Sequence, residues 1–427
     1  MVVIGRPKPR RLCSSKALTV CCLAVVASYP LSLWLLWPRL TSPSGSLRKP
    51  NHETFNTNSD KPIVIGYAVS ITGCGSDPLS EGAAVLKHSI HLAHQKQPTY
   101  DYRMYAIVHP TALSCATPLK ALDYTLLVRD VLVAVEDIQG DFVRQKIRSN
   151  GCCGEKELIK LEAYTLTQHP IVVHLDLDVL VLQPMDSLFD YMLASDPAPL
   201  DSLQWPYRPL PNVVNAFYTM DYNMVKPSTK YKPVQGGFLV LRPDQKVYEE
   251  FREIVRQGDF REGKGWGGEV GPFYGAMTFQ GLIPYYYEHL HPGQSVELNR
   301  CIYNQMCDNP RTGRTVNDVV SGDCRTGAEE CEDCRSRSLE EVVTTHYTLC
   351  QKPWFCVPHK QDAIQHRLCR KLTHAWYEVR SDMEKSWGRS GTGPGSFDTE
   401  HFYGYCKAPQ KNGYIPIAEP YGKPAKY

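Results

Sequence analysis

Three features are missing from this sequence: an excess of charge of one sign, a phosphate-binding P-loop and an acceptor for N-glycosylation. Charge of one sign is not in excess, because 47 Lys and Arg stand against 45 Asp and Glu. A net charge of +2 gives no reason to expect nucleic acid or a strongly acidic partner. The glycine-rich stretch at 263–275 lacks the Lys-Ser/Thr of a phosphate-binding P-loop. No Asn-x-Ser/Thr acceptor occurs, so N-glycosylation cannot report which side of a membrane the chain occupies.

One long uncharged run, 17–38, follows a basic N-terminus. It is about long enough to cross a bilayer, which takes roughly 20 apolar residues, and two tryptophans near its end suit the membrane interface. We predict a cytoplasmic tail at 1–16, an uncleaved signal anchor at 17–38 and a flexible stem at 39–60. The rest would then lie in the lumen of the Golgi or another endomembrane compartment, as a single-pass type II protein. A cleaved signal peptide ending near Ala27–Ser28 is the alternative.

The chain contains 16 cysteines, of which thirteen follow the hydrophobic run. That density fits an oxidising compartment, and the odd number leaves at least one thiol unpaired or bonded to another chain. Cys331 and Cys334, with Cys324 nearby, have a spacing that also occurs in zinc sites. In a lumenal chain we favour disulfides over metal for these three.

Apolar runs alternate with helical patterns over the first half of the region after the stem. Strands are predicted at 63–69, 102–108, 131–135 and 171–173, and helices at 79–93, 118–126 and 158–167. This order predicts an α/β fold with a mostly parallel, Rossmann-like central sheet and helices on both faces. Ligands bind such sheets at the carboxyl ends of the strands, where Ser70, Thr72, Asp176 and Asp178 would lie.

The sequence Leu175–Val179 carries two acids, Asp176 and Asp178, between apolar runs. Two carboxylates in apolar surroundings are costly unless something compensates them. On an extended chain they would face the same side, where Mg²⁺ or Mn²⁺ with a diphosphate would be a natural partner. The alternative is a strand end whose acids lie in solvent or pair with Lys or Arg.

Further along, 195–233 is rich in Pro, Tyr and Asn and predicts a long irregular excursion. The pair Gly236 and Gly237 then precedes an apolar strand, where glycine permits close backbone approach. Helical patterns follow at 245–256 and from 358 to about 380.

Three segments together resemble glycosyltransferase family 8, the glycogenin-like group with a GT-A fold. They are 160–190, which contains the Asp-x-Asp; Gln235–Pro243, similar to the family's Asn-Ser-Gly-strand-Pro; and His346–Trp354, similar to its His-x-x-Gly-x-x-Lys-Pro-Trp. The resemblance implies a glycosyltransferase domain at 61–357, followed by a C-terminal extension at 358–427.

The resemblance also implies roles for individual residues. Mn²⁺, or Mg²⁺, would be bound by Asp176, Asp178 and His346, and Lys352 would pair with the diphosphate. Ser70 and Thr72 would line the nucleotide pocket. Near the donor sugar would lie Lys160, Gln235, Gly236 and Gly237, with Gln280 as the catalytic side chain.

The chain departs from the family pattern around the sugar and the base. The tyrosine that can stack on the base is replaced by Leu79 or is displaced into 73–78. Gln235–Gly237 replaces Asn-Ser-Gly, Leu349 replaces a glycine, and Phe279 replaces the acid of an Asp-Gln pair. The metal and phosphate halves of the pattern are intact, so these departures concern the donor's identity more than the reaction type.

We therefore expect a membrane-anchored, Mn²⁺-dependent, retaining glycosyltransferase. It would transfer a hexose or pentose from a UDP-sugar to a glycan, glycoprotein or lipid acceptor. A catalytically weak member of the same fold that binds glycans or a partner protein is the alternative. A disulfide-rich extracellular structural protein is a third hypothesis, which requires the two aspartates to be incidental.

Overall fold

The fold is built on a seven-stranded sheet, seen in a computed structural model of the chain. The structure describes residues 62–75, 78–194, 210–211, 213–312, 322–357, 364–389, 405–406, 413–418 and 421. The predicted tail, anchor and stem lie outside these residues. Among the described residues, no helix has the length and hydropathy that a membrane span requires.

The strands are β1 (Val64–Ile71), β2 (Asp101–Val108), β3 (Thr125–Val128), β4 (Val172–Leu175), β5 (Val179–Val181), β6 (Ala216–Met220), β7 (Val234–Leu241), β8 (Phe260–Arg261), β9 (Gly265–Trp266), β10 (Ser295–Glu297) and β11 (Thr344–His346). The α-helices are α1 (Leu79–Lys96), α2 (Leu113–Ala116), α3 (Asp141–Lys146), α4 (Asp186–Leu193), α5 (Gln245–Gln257), α6 (Phe279–Pro284) and α7 (Ile364–Ser386). Gly154–Thr165 is a 3₁₀ helix and Tyr285–Leu290 a π-helix. Shorter 3₁₀ segments occur at Pro110–Ala112, Thr117–Leu122, Val135–Asp137, Ile147–Ser149, Tyr222–Met224, Cys334–Ser336, Leu339–Glu341 and Pro353–Phe355.

The strand order in the large sheet is β10-β6-β7-β4-β1-β2-β3. All neighbours are parallel except β7, which runs antiparallel to both β4 and β6. The expected mostly parallel α/β sheet is therefore confirmed. Because β4 and β6 point the same way, the residues that follow them lie at one edge of the sheet, where a site can be assembled from several segments.

Both faces of the sheet are covered, which explains why every residue of β4 and β7 is buried. Successive residues of β4 point to opposite faces, so Val173 joins one hydrophobic cluster and Val172 the other. Helices α1, α4 and α7 pack on the first face, and Gly154–Thr165, α5 and α6 on the second. Each fully buried Val, Leu or Phe contributes about 1.5–3 kcal/mol to folding.

The predicted C-terminal extension contributes to the same core. Leu372 and Trp376 of α7 are buried in the cluster that contains α1. Arg380 of α7 is 1% exposed and lies 3.9 Å from the carboxylate of Glu81 on α1, and Tyr414 donates to that carboxylate at 3.0 Å. Burial raises the pKa of Glu81, although Arg380 opposes this effect. This polar cluster joins the C-terminal segment to the first helix of the fold.

Two predicted elements were wrong. The run at 131–135 is not a strand, because Leu132 and Val133 are buried in a loop and Val135 is buried at the start of the 3₁₀ segment Val135–Asp137. The third strand is instead β3, which begins within the predicted helix 118–126 and is a short, half-exposed strand at the edge of the sheet. The excursion at 195–233 contains β6, whose five residues are all buried.

Candidate functional site

The two aspartates lie in a turn at the carboxyl end of β4, not on the extended chain that the sequence suggested. The turn arises because the chain leaves the large sheet here to form β5, which pairs with β11. The N–H of Asp176 donates to the carbonyl of Gly237 at 3.1 Å, and the N–H of Tyr347 donates to the carbonyl of Asp178 at 3.0 Å. Two other chain segments therefore hold the turn in place.

His346 reaches the aspartates through the pairing of β11 with β5, which sets it opposite Val179. Its Nε2 lies 3.3 Å from Asp178 Oδ1 and 4.0 Å from Asp176 Oδ2. One ligand atom from each of the three side chains lies within 4.8 Å of the others. His346 is 3% exposed, Asp178 10% and Asp176 29%, so the cluster opens to solvent on the Asp176 side.

Gln235 orients the imidazole of His346. Its Oε1 accepts hydrogen bonds from the Gly237 N–H at 2.7 Å, the Asn304 amide at 3.2 Å and His346 Nδ1 at 3.1 Å. Because a carbonyl oxygen cannot donate, Nδ1 carries a proton, and Nε2 is the ring nitrogen that faces the aspartates. A Cβ on Gly237 would lie 2.2 Å from His346 Cε1, so the ring requires glycine at that position.

This donor set fits a divalent cation. Oxygen atoms of two carboxylates and Nε2 of His346 converge on one point, where a neutral His346 would offer a cation its nitrogen lone pair. Carboxylate oxygens suit Mn²⁺ and Mg²⁺, and one imidazole is compatible with Mn²⁺. A hydrogen bond from the far nitrogen of the ring, here to Gln235, is the usual way in which proteins orient a metal-binding histidine.

Two lysines also compensate the aspartates, as the alternative interpretation of the sequence expected. Lys160 Nζ donates to Asp176 Oδ1 at 2.9 Å and to the Gly236 carbonyl at 2.9 Å, and Lys352 pairs with Asp178. Burial disfavours the ammonium of Lys160, but Asp176 and Glu157 outweigh it and raise the pKa of Lys160. Burial also opposes ionisation of Asp178, yet His346 and Lys352 hold the pKa of Asp178 below its usual range.

The two lysines differ in freedom. Lys160 is 8% exposed and has three acceptors around it, whereas Lys352 is 28% exposed. Lys352 is placed by two disulfides on either side of it, Cys350–Cys369 and Cys356–Cys406, which bind its loop to α7 and to the segment beyond. Lys352 is therefore the cation that can turn toward an arriving anion.

The remaining predicted residues lie around this cluster at different depths. Ser70, near the end of β1, shares a 2.8 Å hydrogen bond with His174 Nε2, and Thr72 is the first residue after β1. Gly236 lies within β7, and a Cβ there would meet Lys160 Nζ at 3.4 Å. Gln280 is buried in the first turn of α6, where its Oε1 faces Gly275.

Sequence reasoning missed Glu157, a second carboxylate beside Lys160. It is buried, its Oε1 lies 3.9 Å from Lys160 Nζ, and its Oε2 accepts from the Thr278 hydroxyl at 2.6 Å. Burial raises the pKa of Glu157, against the opposing effects of Lys160 and Thr278. The signal was present, since a residue three before Lys160 on a helix shares its face. Phe279, which replaces an acid of the family pattern, places its ring 5.5 Å from Lys160 Nζ.

Cys324, Cys331 and Cys334 form disulfides, as the sequence analysis predicted in preference to a zinc site. The pairs are Cys301–Cys334 and Cys324–Cys331. A further disulfide, Cys74–Cys115, joins the segment after β1 to α2. The cysteine count could not give these pairings.

No family model and no curated protein matches the chain. The solved structures that it resembles include glycosyltransferases. An active-site mutant of LgtC is 13% identical at a TM-score of 0.39, covering 75% of this chain and 96% of its own. Mouse xyloside xylosyltransferase 1 is 13% identical at a TM-score of 0.41, and the match covers 68% of this chain and 100% of the mouse protein chain. The glycosyltransferase GlyE of Streptococcus pneumoniae is 12% identical at a TM-score of 0.38, and the match covers 75% of this chain and 60% of the GlyE chain. All three TM-scores are below 0.5, so these superpositions are loose.

Proposed function

We propose that this protein is a metal-dependent glycosyltransferase that moves a hexose or pentose from a UDP-sugar to a glycan, glycoprotein or lipid. The observation that carries the proposal is the convergence of Asp176, Asp178 and an oriented His346, with Lys352 and Lys160 at its border. A divalent cation site flanked by two ammonium groups suits a diphosphate, whose oxygens bind both.

Each residue has a distinct task in this proposal. Asp176, Asp178 and His346 would hold Mn²⁺, or Mg²⁺, which when bound supplies Lewis-acid stabilisation of the diphosphate leaving group. Lys352 would exchange Asp178 for a diphosphate oxygen and stabilise the negative charge that grows as the sugar departs. Lys160 would keep Asp176 and the Gly236 carbonyl in place, because it is buried and fully engaged.

Retention of configuration at the sugar is proposed on the family resemblance. A retaining transfer of this kind needs no carboxylate nucleophile behind the sugar, unlike retaining glycosidases with their carboxylate pair. The replacement of the family's acid by Phe279 is compatible with a transfer that uses no carboxylate nucleophile. Gln280 is proposed as the polar side chain that hydrogen-bonds the donor sugar. NMR of the product from an α-linked donor tests the stereochemistry, and a β-linked product would reject it.

The compartment is proposed from the N-terminal run at 17–38 and the disulfides. A type II anchor would place the domain in the lumen of the Golgi or a related compartment, where disulfides persist. N-terminal sequencing of protein from its native membrane tests this, and an N-terminus beyond Pro38 would show a cleaved signal instead.

The proposed activity is tested by incubating the protein with single UDP-sugars and Mn²⁺. Thermal shift identifies the donor, since ligand at 100 times its Kd stabilises the native state by about 2.7 kcal/mol. UDP release is then measured for that donor, with Asp178→Asn as the matched inactive variant. Stabilisation without any UDP release, even with acceptors supplied, would favour the catalytically weak binding protein. No response to any UDP-sugar would refute the proposed transferase.

A further inference from the structure

Two adjacent cysteines are left outside the disulfides. Of the thirteen cysteines after the hydrophobic run, ten form the five disulfides, and Cys152, Cys153 and Cys307 are free. Cys307 is buried, whereas Cys152 is exposed and Cys153 is partly exposed. The sulfur atoms of Cys152 and Cys153 lie 2.6 Å apart, much closer than the contact distance of two unbonded sulfurs.

The loop that carries this pair borders the proposed donor site on two sides. The hydroxyl of Thr72, predicted to line the nucleotide pocket, faces the Cys153 thiol and favours its ionised form, which helps to lower the pKa of Cys153. Gly151 has a φ of +64°, and a Cβ there would lie 2.9 Å from the Glu157 carboxylate. The side chain of Asn150 accepts from the Met277 N–H at 3.1 Å, which ties the loop to the segment before α6.

Adjacent cysteines make an unusually reducible bond. Their Cα atoms are about 3.8 Å apart across a trans peptide, whereas disulfides usually span roughly 4.4–6.8 Å between Cα atoms. Strained or exposed disulfides are the labile and regulatory ones. The pKa of Cys153 is lowered to about 7, chiefly by the hydrogen bond from Cys152. Burial raises this pKa and Thr72 lowers it further. The thiolate needed for exchange is therefore well populated near neutral pH.

We propose that Cys152 and Cys153 form a reversible vicinal disulfide whose closure releases Thr72 to bind the nucleoside diphosphate. The Cys153 thiolate attacks an external small-molecule or protein disulfide and expels one thiolate. Cys152 then loses its proton, attacks the Cys153 sulfur and expels the second thiolate. Two thiols are thus oxidised by two electrons while one external disulfide is reduced to two thiols. The effect on donor binding rests on the proposed function, whereas the modification itself does not.

The modification is tested on the full chain, equilibrated in glutathione redox buffers, then acid-quenched and digested with trypsin. Cleavage after Arg148 and Lys156 gives a peptide, 149–156, that contains Cys152 and Cys153 and no other cysteine. In oxidising buffer we expect this peptide to be lighter by two hydrogen atoms and to resist alkylation. Mild reduction should restore two alkylation sites before Cys350–Cys369 opens. Cys307 is the control, since it is alkylated in the denatured chain with or without reduction.

Full alkylation of both cysteines in the most oxidising buffer would overturn the proposal. So would a pair that opens only together with the buried disulfides, because the bond would then be structural and not reversible.

The consequence for the donor is tested by titrating UDP with Mn²⁺ into the oxidised and the mildly reduced protein. We expect the oxidised form to bind more tightly by up to about tenfold, the worth of one freed hydrogen bond. The Cys152→Ser/Cys153→Ser double variant should lose the redox dependence. Equal affinity in both redox forms overturns the link to Thr72 while leaving the proposed function intact. No UDP binding in either form refutes the proposed function and this link together, and the peptide mass still decides the disulfide.

Discussion

Replacing Gln235 should weaken metal binding without touching a metal ligand. In the Gln235→Leu variant, the Nδ1 proton of His346 loses its acceptor, so neither the tautomer nor the rotation of the ring is fixed. Outer partners of this kind are worth about 10- to 100-fold in metal affinity, which is about 1.4–2.8 kcal/mol. Mn²⁺ affinity, measured by the loss of the free-ion electron paramagnetic resonance signal, should fall by that factor.

The same substitution removes the acceptor of two other buried donors, the Gly237 N–H and the Asn304 amide. Each unsatisfied buried donor costs about 1–3 kcal/mol, so the metal-free variant should also be less stable in denaturant titrations. Stability and affinity must therefore be measured separately.

Gln235→Glu is the matched control. A carboxylate of the same shape accepts all three hydrogen bonds and keeps the proton on His346 Nδ1, so Mn²⁺ affinity should stay near that of the wild type or rise. Wild-type affinity in Gln235→Leu would refute the reasoning. An equal loss in both variants would assign the effect to packing and not to the acceptor.

Four further predictions concern Asp178, Lys352, Gly237 and Arg380. Asp178→Asn should abolish Mn²⁺ binding and reduce UDP release by at least about 100-fold while circular dichroism stays native. Lys352→Ala should weaken UDP binding in calorimetry, and Lys352→Arg should rescue it only in part, because a planar fork does not replace a compact ammonium. Gly237→Ala should lower Mn²⁺ affinity, since its Cβ would collide with His346 Cε1. Arg380→Ala leaves the buried Glu81 carboxylate without its cation and should lower the free energy of unfolding by about 3–5 kcal/mol. The control is Lys385→Ala, at an exposed position of the same helix, which should change the free energy of unfolding by less than about 0.5 kcal/mol.

The sequence could predict the parts of the fold that short-range pattern encodes. The runs that form β1, β2 and β4 are mostly apolar, and α1 and α5 have helical spacing. The ends of α5 are also marked in the sequence, by the capping Asp244 and by Gly258. The prediction misplaced β3 because its short apolar run directly continues the helical pattern at 118–126. The segment at 131–135 contains the buried residues Leu132, Val133 and Val135, and was therefore predicted as a strand.

The convergence of Asp176, Asp178 and His346 was expected from motif resemblance, but its physical basis could not be seen in the sequence. The pairing of β5 with β11 and the hydrogen bond from His346 to Gln235 join residues more than a hundred positions apart. Disulfide pairing is equally non-local, so the way Cys350 and Cys356 fix the loop of Lys352 emerges only from the fold.

Anomalous diffraction at the manganese edge, from crystals soaked with Mn²⁺ and UDP, tests the central claim most directly. We predict one strong peak bonded to oxygens of Asp176 and Asp178, to His346 Nε2 and to the diphosphate, with Lys352 turned from Asp178 to a phosphate oxygen. A peak elsewhere, or UDP bound away from these side chains, would contradict it.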